Sequence, residues 1–195
     1  MNHDELNRRR LLQSFASIAL AQSALVSTEG LAASGAGSMP VPTKPPGKPG
    51  DFNFLAGEWK INHRRFKTDT KTWDEFKGEA TCWTILGGVG SVEELRIPAR
   101  DFSGMGLRLL DMKEKVWRDF WVNSKFGVLT PPGMPGHFEH EAGVFEADDM
   151  DGDKPIKVRG IWDRITPKSC RWRQAVSRDG GKTWDENWFM DWTRA

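Results

Sequence analysis

The sequence predicts an all-β protein, an antiparallel β-barrel, on three observations. Strand-like runs rich in aromatic and β-branched residues recur roughly every ten to fifteen residues from residue 57 to the end. The spacers between them carry Gly, Asp and Pro, the residues of turns. Nothing in the chain resembles the strand–helix alternation of a parallel sheet.

Each element follows in order. "WKINHRRFK" (59–67) alternates, with Trp59, Ile61, His63 and Arg65 on one face and Lys60, Asn62 and Arg64 on the other. "DTKTWDEF" and "GEATCWTIL" (78–86) read as the next runs, then "GGVG" as a turn, "SVEELRIPA" (91–99) and "MGLRLLD" (105–111). "KVWRDFWVNS" (115–124) places Trp117, Asp119, Trp121 and Asn123 on one face. A Pro/Gly loop, "TPPGMPG" (130–136), precedes "HFEHEAGVFEA", which reads as one run. Asp151-Gly152 marks a hairpin turn before "PIKVRGIWDRI" (155–165), whose face is Ile156, Val158, Gly160 and Trp162. "SCRWRQAVS" (169–177) gathers Cys170, Trp172, Gln174 and Val176, and the closing "TWDENWFMDWTR" (183–194) gathers Trp188, Met190 and Trp192.

Four of these five faces gather Trp with other mostly apolar residues, and three insert a polar group. A plain core would hold fewer polar groups, because each buried one needs a partner. Aromatic walls with a few polar anchors describe a small-molecule pocket. The candidate binding residues are therefore Trp121, Trp162 and Trp172 as walls, with His63, Arg65, Asn123 and Gln174 as anchors. A core whose polar residues satisfy one another is the competing reading.

Before the barrel lie two other segments. "NRRRLLQS" (7–14), the apolar "FASIALAQSALV" and the small residues of "GLAASGA" (30–36) give the charged, apolar and cleavage regions of a secretory signal. Its paired arginines resemble the twin-arginine class, so residues 1–36 read as an export signal and the mature protein as periplasmic or secreted. No lasting membrane anchor is expected after cleavage: the apolar stretch is too short to span a bilayer and no Cys lies near the cleavage region. Residues 37–50, rich in Pro and Gly, read as an extended linker, which places the folded domain at 51–195.

Charge narrows the partners. Lys and Arg number 28 against 27 Asp and Glu, so the chain lacks the basic excess of a nucleic-acid binder. Ten Trp, eleven Phe and no Tyr concentrate large apolar surface in residues that donate at most one indole hydrogen bond. Cys82 and Cys170 lie in strand-like runs, and the sequence leaves open whether they are bridged or free thiols.

The remaining motifs have bland readings. "SRDGGKTW" (177–184) matches the hairpin turn called an Asp-box, with Asp179 stabilising the turn and Trp184 packing beneath it; one copy cannot build a propeller. "ADDMDGDK" (147–154) puts Gly152 too early for a calcium loop. "HFEHE" (137–141) offers imidazoles and carboxylates, and His63 would be needed to complete a zinc or haem site across the barrel; one strand supplies too few convergent ligands, so no metal or cofactor is expected. No nucleophile elbow or phosphate loop appears.

"FLAGEW" resembles the Gly-x-Trp signature of the lipocalins and wider calycin barrels. The whole run 51–194, including "ILGGVG", "GMGLRLLD", "VWRDFWVNS" and "NWFMDWTR", resembles a bacterial lipocalin-like family known only as a domain of unknown function. The resemblance implies that Gly57 and Trp59 close one barrel end with Arg194 packed over the indole, all three structural. It implies ligand-binding capacity by analogy. The function expected is an exported barrel binding a small apolar or aromatic molecule. The alternatives are an isomerase, cyclase or hydrolase using His63 with Asp119 or Glu139, and a partner-binding module with a filled interior.

Overall fold

The computed structural model describes residues 44–195. The expected export signal and the linker up to residue 43 lie outside the described residues. Ten strands follow one another along the chain: β1 (Gly57–Lys67), β2 (Thr72–Ile85), β3 (Gly90–Ile97), β4 (Phe102–Asp111), β5 (Val116–Asn123), β6 (Met134–Glu139), β7 (Ala142–Asp151), β8 (Lys154–Asp163), β9 (Ser169–Ser177) and β10 (Asp185–Arg194). Each is antiparallel to its chain neighbours, and β1 pairs with β10 to close the barrel. Closure leaves the sheet without a terminal edge strand. The expectation of an all-β antiparallel barrel holds.

Alternation decides which residues fill the interior. On β1, Trp59, Ile61 and His63 are buried while Glu58, Lys60 and Asn62 are exposed. On β10, Met190 and Trp192 are buried and Asp191 and Thr193 are exposed. Trp59, Trp117, Trp162 and Trp192 are the largest fully buried side chains. Full burial of a large apolar side chain contributes roughly 1.5–3 kcal/mol, so each of these indoles is a substantial part of the packing energy.

One barrel end is plugged. A 3₁₀ turn, Asn53–Leu55, sets Phe52 and Leu55 into the interior. Trp59 Nε1 donates to the Leu55 carbonyl at 2.6 Å, and the Arg194 guanidinium lies 4.0 Å over the Trp59 ring. Arg194 also donates to the carbonyl oxygens of Phe54 and Ala56. Gly57, with φ of +121°, brings its backbone against the Arg194 guanidinium, where a Cβ would collide. At the opposite end, Asp179 accepts from the Lys182 amide, the Thr183 amide and the Thr183 hydroxyl, and the Ser177 hydroxyl donates to it. The Thr183 amide is the largest of the causes that hold its carboxyl below the usual range. Trp184 donates to the Gly181 carbonyl at 3.0 Å, and Arg159 covers its ring.

Four local expectations are corrected. Residues 44–50 are not a free linker: the Gly47 amide donates to the Lys115 carbonyl and the Gly50 amide to the Gly88 carbonyl, so the folded body begins before Asp51. The two runs around Gly78 are one strand, β2. Gly78 is there for close approach, since a Cβ would stand 2.6 Å from His63 Nε2. "HFEHE" is not one strand, because His140 and Glu141 adopt positive φ (48° and 65°) and form the β6–β7 turn. The Pro/Gly loop ends earlier than its composition indicates, with β6 starting at Met134.

Candidate functional site

The interior holds a cavity of about 130 Å³. Its walls include Trp121 of β5, Trp162 of β8, Trp172 of β9, and Trp188 and Trp192 of β10. Glycines make room for them: a Cβ on Gly104 would fall 2.4 Å from Trp121 Cζ2, and one on Gly160 would fall 3.2 Å from Trp172 Nε1. Gly104→Val is therefore expected to displace the Trp121 ring and lower any ligand affinity at least tenfold. Near-UV circular dichroism and a binding titration check this, and unchanged affinity would contradict it. The cavity also touches Phe120 and Met134, where β5 and β6 pair only over Trp117–Asp119.

A charged cluster sits in one wall. On β3 the inward face carries Ser91, Glu93, Leu95 and Ile97, and on β4 it carries Gly104, Gly106, Arg108 and Leu110. Glu93 and Arg108 are thus delivered to the interior by adjacent strands. Arg108 Nη2 donates to Glu93 Oε2 at 2.5 Å, and Arg108 Nε stands 3.5 Å from Asp119 Oδ1 on β5. The register places Arg108 directly opposite Asp119. Gly106 leaves the space they occupy, since a Cβ there would lie 2.9 Å from Arg108 Nη2. The guanidinium also faces the rings of Trp162 (5.1 Å) and Phe52 (5.4 Å).

Burial by itself would lower the Arg108 pKa, but the charges of Glu93 and Asp119 outweigh it and hold the guanidinium protonated. For Asp119, burial is the main cause and pushes the carboxyl up to about 6; the Glu93 charge adds to this and Arg108 opposes it. The folded value lies above the unfolded value of about 3.9. The folded protein therefore binds more protons than the unfolded chain between those limits. The stability Asp119 contributes is present in full below about pH 4 and is lost as pH rises through 6. Asp119→Asn is expected to gain on the wild type by on the order of 2 kcal/mol between pH 4.5 and pH 7. Urea unfolding at the two pH values measures it, and an equal gap at both would contradict the assignment.

The residues singled out from sequence separate into two groups. Trp121, Trp162, Trp172, Gln174 and Asp119 line the cavity. Gln174 Nε2 donates to Asn187 Oδ1 at 3.1 Å. His63, Arg65, Asn123 and Glu139 are not among the lining residues. His63 is buried with its ring stacked on Phe76, 4.5 Å between centroids, and accepts at Nδ1 from Trp188 Nε1 at 3.3 Å. That contact requires the neutral ring. Arg65 covers the Trp188 ring at 5.0 Å, so it supports a wall from behind. Asn123 Oδ1 accepts from the Lys125 amide and shapes the turn after β5. Glu139 lies half-exposed at the β6–β7 turn beside His137 and His140. Of the alternative acid–base residues, Asp119 lines the cavity and His63 and Glu139 do not.

Sequence reasoning missed Glu93, Arg108, Trp188 as a cavity wall, Trp192 and Met134. The signal for the first two was present: each shares strand parity with apolar residues, Glu93 with Leu95 and Ile97, Arg108 with Leu110. Among the described residues no group of three His, Cys, Asp or Glu is arranged to hold a metal ion. Cys82 and Cys170 are free and buried, and burial is the main cause that raises both thiol pKa values, Cys170 to about 12. Neither is a reactive thiolate.

No family model and no curated protein matches the chain. Solved structures do match in part. Rv2717c from M. tuberculosis is 12% identical with a TM-score of 0.43, covering 73% of this chain and 93% of its own. A protein of unknown function of the DUF3598 family from Nostoc punctiforme is 14% identical with a TM-score of 0.43, covering 82% of this chain and 53% of its own. Likeness at this level carries no assignment of activity.

Proposed function

We propose that this barrel binds a small apolar or aromatic molecule within its Trp-lined cavity. The supporting observation is the cavity itself, about 130 Å³ and walled by five indoles. A buried apolar space of about 150 Å³ is enough to hold benzene, so the ligand is of one-ring size. Aromatic walls supply contact area at low entropic cost, and the few polar groups orient the ligand. The N-terminal sequence adds an export reading, which makes this a periplasmic or secreted carrier.

Truncation of the walls tests the proposal. Trp121→Ala and Trp172→Ala are expected to weaken binding of a one-ring aromatic at least tenfold, as measured by calorimetry. Unchanged affinity in both would place the ligand elsewhere. One observation favours the enzymatic alternative: a carboxyl at about 6, Asp119, lies beside a fixed guanidinium in the cavity wall, the environment of a general acid or base. On this second reading Asp119 carries the proton and His63 does not.

A further inference from the structure

Three hydrogen-bond donors on cavity-lining residues meet no acceptor among the described residues of the protein. Arg108 Nη1, Trp162 Nε1 and Trp192 Nε1 are buried and have no hydrogen-bond partner among the described residues. The three residues are at most 4% exposed, and all three line the cavity. They are also neighbours: the Arg108 guanidinium is 5.1 Å from the Trp162 ring, and the Trp162 and Trp192 rings are 5.4 Å apart. An unpaired buried donor carries its full desolvation cost. Three in one wall are therefore an unusual concentration, and an indole N–H only donates.

Charge decides what kind of acceptor this wall suits. Arg108 is flanked by two carboxylates, Glu93 at 2.5 Å and Asp119 at 3.5 Å. No positive surplus is left to compensate an anionic head group, and a ligand carboxylate would be a third acid beside one guanidinium. We propose that the ligand is a neutral, one-ring compound bearing a carbonyl-type acceptor, its oxygen bound by the donors of Arg108, Trp162 and Trp192. The assignment rests on the binding reading above and names the chemistry of that same site.

The test compares acetophenone with α-methylstyrene, which has the same shape but a methylene in place of the oxygen. A purely apolar cavity prefers the alkene, because the ketone gives up hydrogen bonds to water on entering. Calorimetric titration of the full chain is expected to show the ketone binding at least tenfold more tightly. Trp162→Phe and Trp192→Phe keep a ring and remove the N–H. They are expected to shrink the ketone-over-alkene affinity ratio, taken within each variant, severalfold relative to wild type, and thermal unfolding of each variant reports whether the fold is intact. If the alkene binds as tightly as the ketone in the wild type, the donor assignment is wrong while cavity binding stands. A ketone preference that survives both Phe variants also overturns the assignment. If neither compound binds at millimolar concentration, the binding reading falls and this inference falls with it.

Discussion

Replacing Arg108 with Met is expected to destabilise the barrel by about 3–5 kcal/mol, because it strands Glu93 as an uncompensated buried charge. At this chain length the loss corresponds to a fall in Tm of roughly 10 °C. The paired variant, Glu93→Leu with Arg108→Met, is expected to lie close to the wild type, since removing both partners removes both desolvation costs. Asp119 then loses its cation, but it is about one-fifth exposed and takes up a proton. Thermal unfolding of the two singles and the double measures the coupling. A double variant less stable than Arg108→Met alone would contradict the pairing.

Trp59→Ala is expected to cost a similar 3–5 kcal/mol. The indole is 1% exposed, donates to the Leu55 carbonyl, packs edge-on against Trp192 and supports the Arg194 guanidinium. Its loss opens a void beneath the 3₁₀ plug and frees a carbonyl. Arg194→Met is expected to cost less, about 1–2 kcal/mol, through the two carbonyls of Phe54 and Ala56 that lose their donor. Trp59 is not among the cavity-lining residues. A mild Arg194 variant should therefore keep its affinity for a cavity ligand. Denaturant midpoints order the two variants, and an Arg194→Met loss larger than that of Trp59→Ala would contradict the account of the plug.

The strands were legible because alternation survives in most of them: Trp59, Ile61 and His63 point inward on β1, as do Trp162 on β8 and Trp172 on β9. The walls of the cavity follow from that parity. What parity could not supply is depth along the barrel. Arg65 and Asn123 share faces with true interior residues, yet sit at the open ends of their strands and serve ring cover and turn geometry. The Glu93–Arg108 pair was hidden for a different reason. A charged residue in an apolar face weakens the very pattern used to find the face, so β3 and β4 were read without their inward sets. The β6–β7 turn at His140 and Glu141 was hidden because the pair lacks the Asn-Gly or Asp-Gly signature of a two-residue hairpin turn, although both residues take positive φ. Residues 44–50 show the converse. Pro and Gly mark a stretch outside the strands, but composition carries no information on whether that stretch hydrogen-bonds to the barrel, as Gly47 and Gly50 do.

The most direct test of a ligand site among the indoles is to follow the ten Trp Nε1–H resonances while titrating acetophenone into the isotope-labelled protein. Trp121, Trp162, Trp172, Trp188 and Trp192 line the cavity, whereas Trp73 and Trp83 are exposed on the outside. The account predicts saturable shifts in the first five, with Trp162 and Trp192 moving downfield as their N–H groups acquire an acceptor. Shifts confined to Trp73 and Trp83, or none at millimolar ligand, would mean that the interior is a filled core and the cavity holds nothing.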